Sequence, residues 1–204
     1  MKSLIVRLVP FAAVLAKFAL AGTLGIVLGL TITFAVVSRG QGFAAIRAGP
    51  WTGWPRNEAA ADIDPYTRAI LARSGRAALN ESEAVGFFAK GDSTGSEFDP
   101  ACEYTIKGEV PAARYWTLTL FTPEGGLVSN QTGRQGLTSN ELLRASDGGF
   151  EIILSRKARA GNWLQIGDLP RFIIVLRFYD SELGSPAAAI DTAHMPAVIR
   201  GDCR

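Results

Sequence analysis

Histidine is nearly absent from this sequence, since His194 is the only one among 204 residues. A Ser-His-Asp triad, a Cys-His pair or a multi-histidine metal site would therefore depend on that single side chain. A lone histidine close to the carboxyl end more often lies at the surface or at the rim of a site. The sequence contains no cluster with the spacing of metal ligands, so we expect no metal and no other cofactor.

An excess of basic residues is also lacking. Three of the 21 Lys and Arg residues, Lys2, Arg7 and Lys17, precede a long apolar run, which leaves 18 basic residues against 19 acidic ones. A nucleic-acid binder needs a basic stripe that displaces the counterions of phosphates. The near-neutral remainder excludes that class of protein, and we expect no nucleic-acid partner.

Cysteine is scarce as well, with Cys102 and Cys203 as the only two. Their wide separation matches no zinc or C-x-x-C spacing and suits a disulfide in an oxidising compartment. The alternative is a pair of buried thiols in a cytosolic domain. Lys and Arg are tied at three on each side of the apolar run. The short basic tail and the predicted disulfide therefore decide the orientation, and they favour a large domain outside the cytoplasm.

The sequence does contain one long uncharged run, FALAGTLGIVLGLTITFAVV at residues 18–37. Twenty helical residues at about 1.5 Å each cover roughly 30 Å, the thickness of the hydrocarbon core of a bilayer. The run exceeds the ~7–15 residues of a signal-peptide core, and no A-x-A cleavage site follows it. It predicts a transmembrane helix after a short cytoplasmic tail at 1–17, with a cleaved signal peptide as the alternative.

Small residues recur at intervals of four within this predicted helix. Ala21, Gly25, Gly29 and Thr33 share one helical face, and Gly25 and Gly29 form a GxxxG motif. Such faces allow two helices to approach closely. The pattern indicates self-association or pairing with a partner helix, although it also arises by chance in glycine-containing anchors.

Residues 38–63 are rich in Gly, Ala, Pro and Arg and show neither a helical nor a strand period, which predicts a linker. Within it, Trp51 and Trp54 either lie at the membrane interface or pack on the following domain. Asp64, followed by proline, then predicts a capped helix over 65–79.

From residue 84 onward, short β-type runs alternate with turn residues, as in β-sandwiches. The run at 172–176 is apolar on both faces, as a central strand is. We predict a mainly β domain at 64–204 with a short helix at 139–144. The predicted strands are 84–89, 102–107, 115–122, 127–130, 150–155, 162–165 and 171–179.

Two patterns suggest hydrolytic chemistry. The segment 91–95, GDSTG, fits the G-x-S-x-G motif of a nucleophile elbow, but a loop sequence follows it, so a hairpin connection is the favoured interpretation. Several carboxylates near predicted strand ends are able to converge into an acid/base pair, although solvated turn residues are commoner. These carboxylates are Asp147, Glu151, Asp168, Asp180 and Glu182.

The most unusual short run is Asn162-Trp163-Leu164, which follows the flexible Ala160-Gly161 pair. Trp163 has either a structural role or, together with Asn162 and Arg177, lines a concave ligand site. In the second case the indole is a platform and the polar groups orient the ligand. The catalytic residues, if any, remain unknown from the sequence.

Several short motifs together resemble one family. They are Asp64-Pro65-Tyr66, Cys102-x-Tyr104, YWTLTL at 115–120, GNWL at 161–164, Arg177-Phe178-Tyr179 and Cys203. Over roughly 49–204 the chain resembles the "domain of unknown function 1214" family in its small, bacterial, membrane-anchored form. Gln165 stands where that family usually has proline, and Asp180 stands where longer relatives have Trp-Pro.

The resemblance implies a jelly-roll-like antiparallel β-sandwich anchored in a bacterial inner membrane and facing the periplasm. It implies no established activity and transfers no catalytic residues. Longer relatives carry an upstream domain of the "domain of unknown function 1254" type, for which we expect no room here. A second membrane-anchored chain of that type is therefore a candidate partner, besides the lipid bilayer itself. We expect a membrane-tethered binding or assembly module, with a carboxylate-dependent hydrolase of the glycoside type as the alternative.

Overall fold

The computed structural model describes residues 2–39, 45–53, 65–73, 84–181, 183 and 194–203. The chain divides into two compact units, Met1–Gly42 and Phe43–Arg204.

The first unit is one long helix, α1, at Lys2–Arg39. Its segment Val14–Ser38 has 25 residues and is long and apolar enough to cross a membrane, a property that signal sequences share. The side chains at 14–34 are exposed. The hydroxyl groups of Thr23 and Thr31 donate to the carbonyl oxygens four residues earlier, so they are satisfied without water. The predicted apolar helix is thus present, as a signal or an anchor.

The described residues of the second unit form one short helix and ten strands. Its elements are β1 (Ile46–Ala48), β2 (Trp51–Gly53), α2 (Pro65–Arg73), β3 (Ala84–Ala89), β4 (Cys102–Gly108), β5 (Ala113–Phe121), β6 (Gly136–Thr138), β7 (Phe150–Ser155), β8 (Asn162–Gln165), β9 (Ile173–Ser181) and β10 (Ala197–Cys203). The first sheet has six strands in the order β1-β2-β3-β9-β5-β6, and the second has four in the order β10-β4-β7-β8. The predicted mainly β fold class is confirmed.

One hydrophobic core draws on both sheets. In β5, alternate residues from Trp116 to Leu120 are buried, and β4 contributes Tyr104 and Ile106 in the same way, since side chains alternate along a strand. Trp116 of the first sheet packs on Phe150 of the second, with ring centroids 5.1 Å apart. Strand β9 lies between β3 and β5, which confirms the central position predicted from its apolar sequence.

All neighbouring strands are antiparallel except β7 and β8, which pair in parallel. Only residues 156–161 connect these two strands, whereas parallel neighbours usually need a crossover of a dozen residues or more. Gly161, with a φ of 83°, ends this short connection in a conformation that glycine adopts without cost.

The predicted linker is wrong at residues 46–53, which form the β1–β2 hairpin at the edge of the first sheet. Trp51 is fully buried, and its Nε1 donates to the carbonyl oxygen of Pro196 at 2.7 Å. Of the two predicted positions for this tryptophan, packing on the domain is therefore the one observed. Trp54 lies outside the described residues.

Two other predicted elements are corrected. Residues 127–130 form no strand: after a tight turn at 122–126, pairing with β5 is limited to the bridge from Leu127 to Phe121 and one hydrogen bond from the N–H of Val128 to the carbonyl oxygen of Leu120. Residues 139–144 form no helix: 139–141 are a turn, Arg144 bridges to Phe150, and the side chain of Asn162 binds both the N–H and the C=O of Leu143. Helix α2 begins at Pro65 as predicted, while residues 74–79 lie outside the described part of the chain.

Candidate functional site

The predicted disulfide between Cys102 and Cys203 is confirmed. The two cysteines lie directly opposite each other on β4 and β10, after an irregularity in register that follows Arg200. Their Cα atoms are 3.8 Å apart, which is shorter than the usual ~4.4–6.8 Å and inside the roughly 7 Å limit beyond which a bridge requires backbone movement. The bridge therefore joins the last described strand to the start of β4.

The GDSTG segment is a structural turn. Gly91 and Glu97 form an antiparallel bridge, so the chain reverses here instead of entering a helix. A Cβ atom at Gly91 would collide with the carbonyl oxygen of Ser96. The Ser93 hydroxyl accepts a hydrogen bond from the N–H of Val198 at 2.9 Å. The prediction of a hairpin connection is confirmed, and the geometry of a nucleophile elbow is absent from this segment.

Asp92 anchors that turn from a nearly fully buried position, with 2% of its surface exposed. Burial by itself raises the pKa of its carboxyl, but hydrogen bonds from the Thr94 hydroxyl and from the N–H groups of Ser96 and Thr94 lower it. The charge of Arg200 lowers it further, with Nε 3.1 Å from Oδ2, and the net pKa lies below the ordinary value. The Arg200 guanidinium also lies 5.6 Å from the ring centroid of Tyr104 on β4. An ionised carboxylate thus ties the turn to β10.

A cavity of about 600 Å³, which we call the charged cleft, lies beside the second sheet. Three residues singled out in the sequence, Asp147, Glu151 and Asn162, line this cleft together. Its charged and amide-bearing lining residues are Lys107, Glu109, Arg144, Asp147, Glu151 and Asn162. All five charged side chains are exposed, so the cleft is wet and carries both signs of charge.

Asn162 shapes the charged cleft. Its Oδ1 accepts from the N–H of Leu143 at 2.7 Å, and its Nδ2 donates to the carbonyl oxygens of Leu143 and Glu151 at 2.8 and 2.9 Å. Both amide hydrogens are therefore used by the backbone. Asn162 fixes the segment around Leu143 against β7, and this is the role that the structure assigns to it.

The other two predicted binding residues lie elsewhere. Trp163 is half-buried, and its Nε1 donates to the carbonyl oxygen of Ser155 at 3.1 Å. Arg177 belongs to β9 of the first sheet, where its guanidinium lies 5.4 Å from the ring centroid of Phe121. Asn162 and Arg177 are thus on different sheets. A ligand-binding role for the three residues together stays a prediction.

Asp168 and Asp180 do not line the charged cleft. Asp168 pairs with Arg156 at 3.4 Å, and Asp180 pairs with Arg114 at 3.7 Å, whereas Glu182 lies outside the described residues. His194 is exposed. Across the described part of the chain, no group of three or more His, Cys, Asp or Glu residues is arranged to hold a metal ion.

A second cavity of about 400 Å³, which we call the tyrosine pocket, lies where β5 begins and β9 ends. It is lined by Arg114, Tyr115, Asn140, Tyr179 and Asp180. Tyr115 and Tyr179 are direct cross-strand partners with ring centroids 5.7 Å apart and ring planes inclined at 48°. Asp180 has a φ of 49°, which is uncommon for a residue other than glycine. The sequence carries a signal for this site, since Arg-Tyr opens one strand and Tyr-Asp closes its antiparallel neighbour.

Residues 83–183 match the family described as "Protein of unknown function (DUF1214)". The fold is similar to that of the VPA0106 protein from Vibrio parahaemolyticus, with a TM-score of 0.59 and 18% identity over 88% of this chain and 44% of that one. This chain therefore spans less than half the length of the Vibrio protein, and the likeness shows the fold alone. A structure of an uncharacterised protein from Burkholderia cenocepacia aligns with a TM-score of 0.38 and 21% identity, over 60% of this chain and 30% of that one. No curated protein matches this sequence.

Proposed function

We propose that this protein, which carries a DUF1214 family domain, is a membrane-tethered binding or assembly module. In this proposal it is anchored in the bacterial inner membrane, with its β-sandwich in the periplasm. The observation that carries the proposal is an exposed apolar helix, Val14–Ser38, on the same chain as a disulfide-bonded sandwich. Disulfides persist in oxidising compartments such as the periplasm. In this proposal the helix is the membrane anchor, and the disulfide supports a periplasmic location for the sandwich.

The charged cleft favours binding over catalysis. Catalytic acid and base groups usually lie in a desolvated site beside close charge partners. Asp147 and Glu151 are instead exposed, and Asp147 accepts a hydrogen bond from the N–H of Gly149 within its own turn. Arg144 likewise donates to the carbonyl oxygen of Gly148. These charges organise a polar surface that suits a ligand or a partner.

The partner in this proposal is a second membrane-anchored chain, with a domain of the "domain of unknown function 1254" type. In the Vibrio structure the matched fold is joined to a longer chain, since the match covers 44% of it. Two chains anchored in one membrane have a raised effective concentration, so a weak contact between their exported domains suffices. The face of α1 that carries Gly25 and Gly29 offers a close approach for the partner helix.

Pairing through this face predicts that Gly25→Leu with Gly29→Leu removes a co-purifying chain. A Cβ atom at either glycine would meet nothing within 4 Å, so the substitutions leave the isolated helix unstrained. The full-length protein is solubilised in a mild detergent and pulled down, and the mass of the complex is measured by light scattering. We expect a complex heavier than the monomer for the wild type and a monomer for the double variant.

The matched control is Thr23→Leu with Thr31→Leu. These two residues lie on the opposite face of α1, and their hydroxyls bond to their own helix. This variant should retain the complex. A wild-type protein that purifies as a bare monomer, with the same mass as both variants, would contradict the assembly proposal.

The alternative function is a carboxylate-dependent hydrolase, which is favoured by Asp147 and Glu151 lining one cleft. A glycosidase would lose activity by several orders of magnitude when either member of its carboxylate pair is made neutral. Glycan hydrolysis by the wild type is therefore compared with Asp147→Asn, Glu151→Gln and the distant control Asp168→Asn. We expect no turnover from any of them. Turnover that Glu151→Gln abolishes and Asp168→Asn preserves would establish the hydrolase instead.

A further inference from the structure

We propose that the tyrosine pocket binds a zwitterion in which a quaternary ammonium group lies close to an anionic group, as in glycine betaine or a phosphocholine head group. No residue that lines this pocket also lines the charged cleft. The inference therefore stands independently of the function proposed above.

The cationic end of such a ligand fits the two tyrosine rings. Tyr115 and Tyr179 are half-buried and face the same cavity, with centroids 5.7 Å apart, so one cation is able to lie within about 6 Å of both rings. The ring quadrupole attracts any cation, but the pocket favours a quaternary ammonium ion over a primary one. The methylated ion is more weakly hydrated, so its transfer from water to the rings costs less free energy. The carboxylate of Asp180 lines the same cavity and adds a full negative charge.

The anionic end of the ligand fits Arg114. Its guanidinium lies 3.7 Å from Asp180, and both side chains are largely exposed, at 82% and 73%. Such exposed pairs contribute little to stability and open readily. A zwitterion replaces each partner with an opposite charge, so neither Arg114 nor Asp180 is left uncompensated. Arginine also binds carboxylate and phosphate groups through two parallel hydrogen bonds.

The backbone at Asp180 supports a functional site here. A non-glycine residue with a positive φ carries a conformational cost that persists where the surrounding structure enforces it, and such residues cluster at ligand sites. In β9 this conformation occurs at the residue that follows Tyr179 and pairs with Arg114. It presents the carboxylate next to the aromatic pair at the end of the strand.

The test measures binding to the full-length protein in dodecyl maltoside by isothermal titration calorimetry. The probes are glycine betaine, phosphocholine, tetramethylammonium and, as the matched control, glycine, which differs from glycine betaine by three methyl groups. We expect saturable binding of the quaternary compounds and at least about tenfold weaker binding of glycine. Equal affinity for glycine and glycine betaine, or no saturable binding of any quaternary compound, would overturn the proposal.

Substitutions assign the two halves of the pocket. Asp180→Asn retains a residue that tolerates a positive φ and should weaken all quaternary ligands about tenfold. Arg114→Gln should weaken phosphocholine but strengthen tetramethylammonium, because it removes both the anion partner and a repulsive charge. Tyr179→Phe keeps the ring and should bind the quaternary compounds nearly as tightly as the wild type. Tyr179→Leu removes the ring and should bind them more weakly. Weakening of phosphocholine and tetramethylammonium alike by Arg114→Gln would contradict the zwitterion geometry.

The source of the ligand is distinguished by competition. If the pocket takes a lipid head group, dihexanoylphosphatidylcholine should compete more strongly than phosphocholine, since its glycerol and acyl groups add contacts. If it takes a free solute, glycine betaine should bind more tightly than either. Both results support the proposed ligand chemistry. The proposal would be refuted if none of the substitutions at Asp180, Arg114 and Tyr179 changed the direct binding of these ligands or their competition.

Discussion

Replacing Cys102 and Cys203 with alanine should lower the free energy of unfolding by about 2–4 kcal/mol. The bridge joins residues 101 positions apart, and in the chain-entropy model a loop of that length stabilises by at most about 4.7 kcal/mol. The cysteines are already direct neighbours across β4 and β10, so the folded state persists without the bridge while the unfolded chain gains freedom. Urea-induced unfolding of the full-length protein in detergent measures the change.

Reduction provides the control for this experiment. A reducing agent should destabilise the wild type by the same amount and leave the double-alanine variant unaffected, because that variant has no bridge to lose. Hydrogen exchange should accelerate first at the end of β10, beyond Pro196, where the bridge holds the chain. Equal stability of the oxidised and reduced wild type would show that the bridge does not stabilise the fold.

Strands β3, β7 and β8 have the bounds that the sequence predicts, 84–89, 150–155 and 162–165. Each is a short run with strand composition between turn residues, so its local pattern and its tertiary role agree. The β1–β2 hairpin was not predicted, because it depends on a contact between Trp51 and Pro196, 145 residues away. The 139–144 segment has the pattern of a helix, but a side chain of β8 takes its backbone hydrogen bonds.

The two cavities show a further limit of sequence patterns. Asp147, Glu151 and Asn162 were each predicted as candidates, yet their convergence depends on the parallel pairing of β7 with β8 across a short connection. No periodicity in the sequence encodes that pairing. The tyrosine pocket depends on the register between β5 and β9, which aligns Tyr115 with Tyr179. A one-residue shift would turn the two rings to opposite faces of the sheet.

Asp92→Ala should destabilise the protein by about 3 kcal/mol, because it removes the counter-charge of Arg200 and the acceptor of the donors in the turn. The carboxylate accepts from Ser96 N–H and from both the N–H and the hydroxyl of Thr94, at 2.6–3.1 Å. Arg200 keeps 32% of its side chain exposed and so recovers some hydration, which holds the loss below that of a fully buried pair. The matched control is Asp168→Asn. The Asp168 side chain is 92% exposed in its ion pair with Arg156, so its substitution should change stability by less than about 1 kcal/mol.

The same carboxylate should make stability depend on pH in the acid range. The pKa of Asp92 lies below its ordinary value of 3.8 in the folded protein, so the folded state binds fewer protons than the unfolded state near that pH. Its stabilising contribution is therefore complete above the unfolded pKa and is lost as the pH falls through the lower folded pKa.

Glu141 acts in the same direction, because the Thr138 hydroxyl and Arg134 lower the pKa of its carboxyl. The difference in the free energy of unfolding between the wild type and Asp92→Asn therefore isolates the contribution of Asp92. The difference in the free energy of unfolding between these two proteins should be constant at neutral pH and should decrease below about pH 4. A difference that stays constant down to pH 2 would show that protonation of Asp92 does not weaken the contact between the turn and β10.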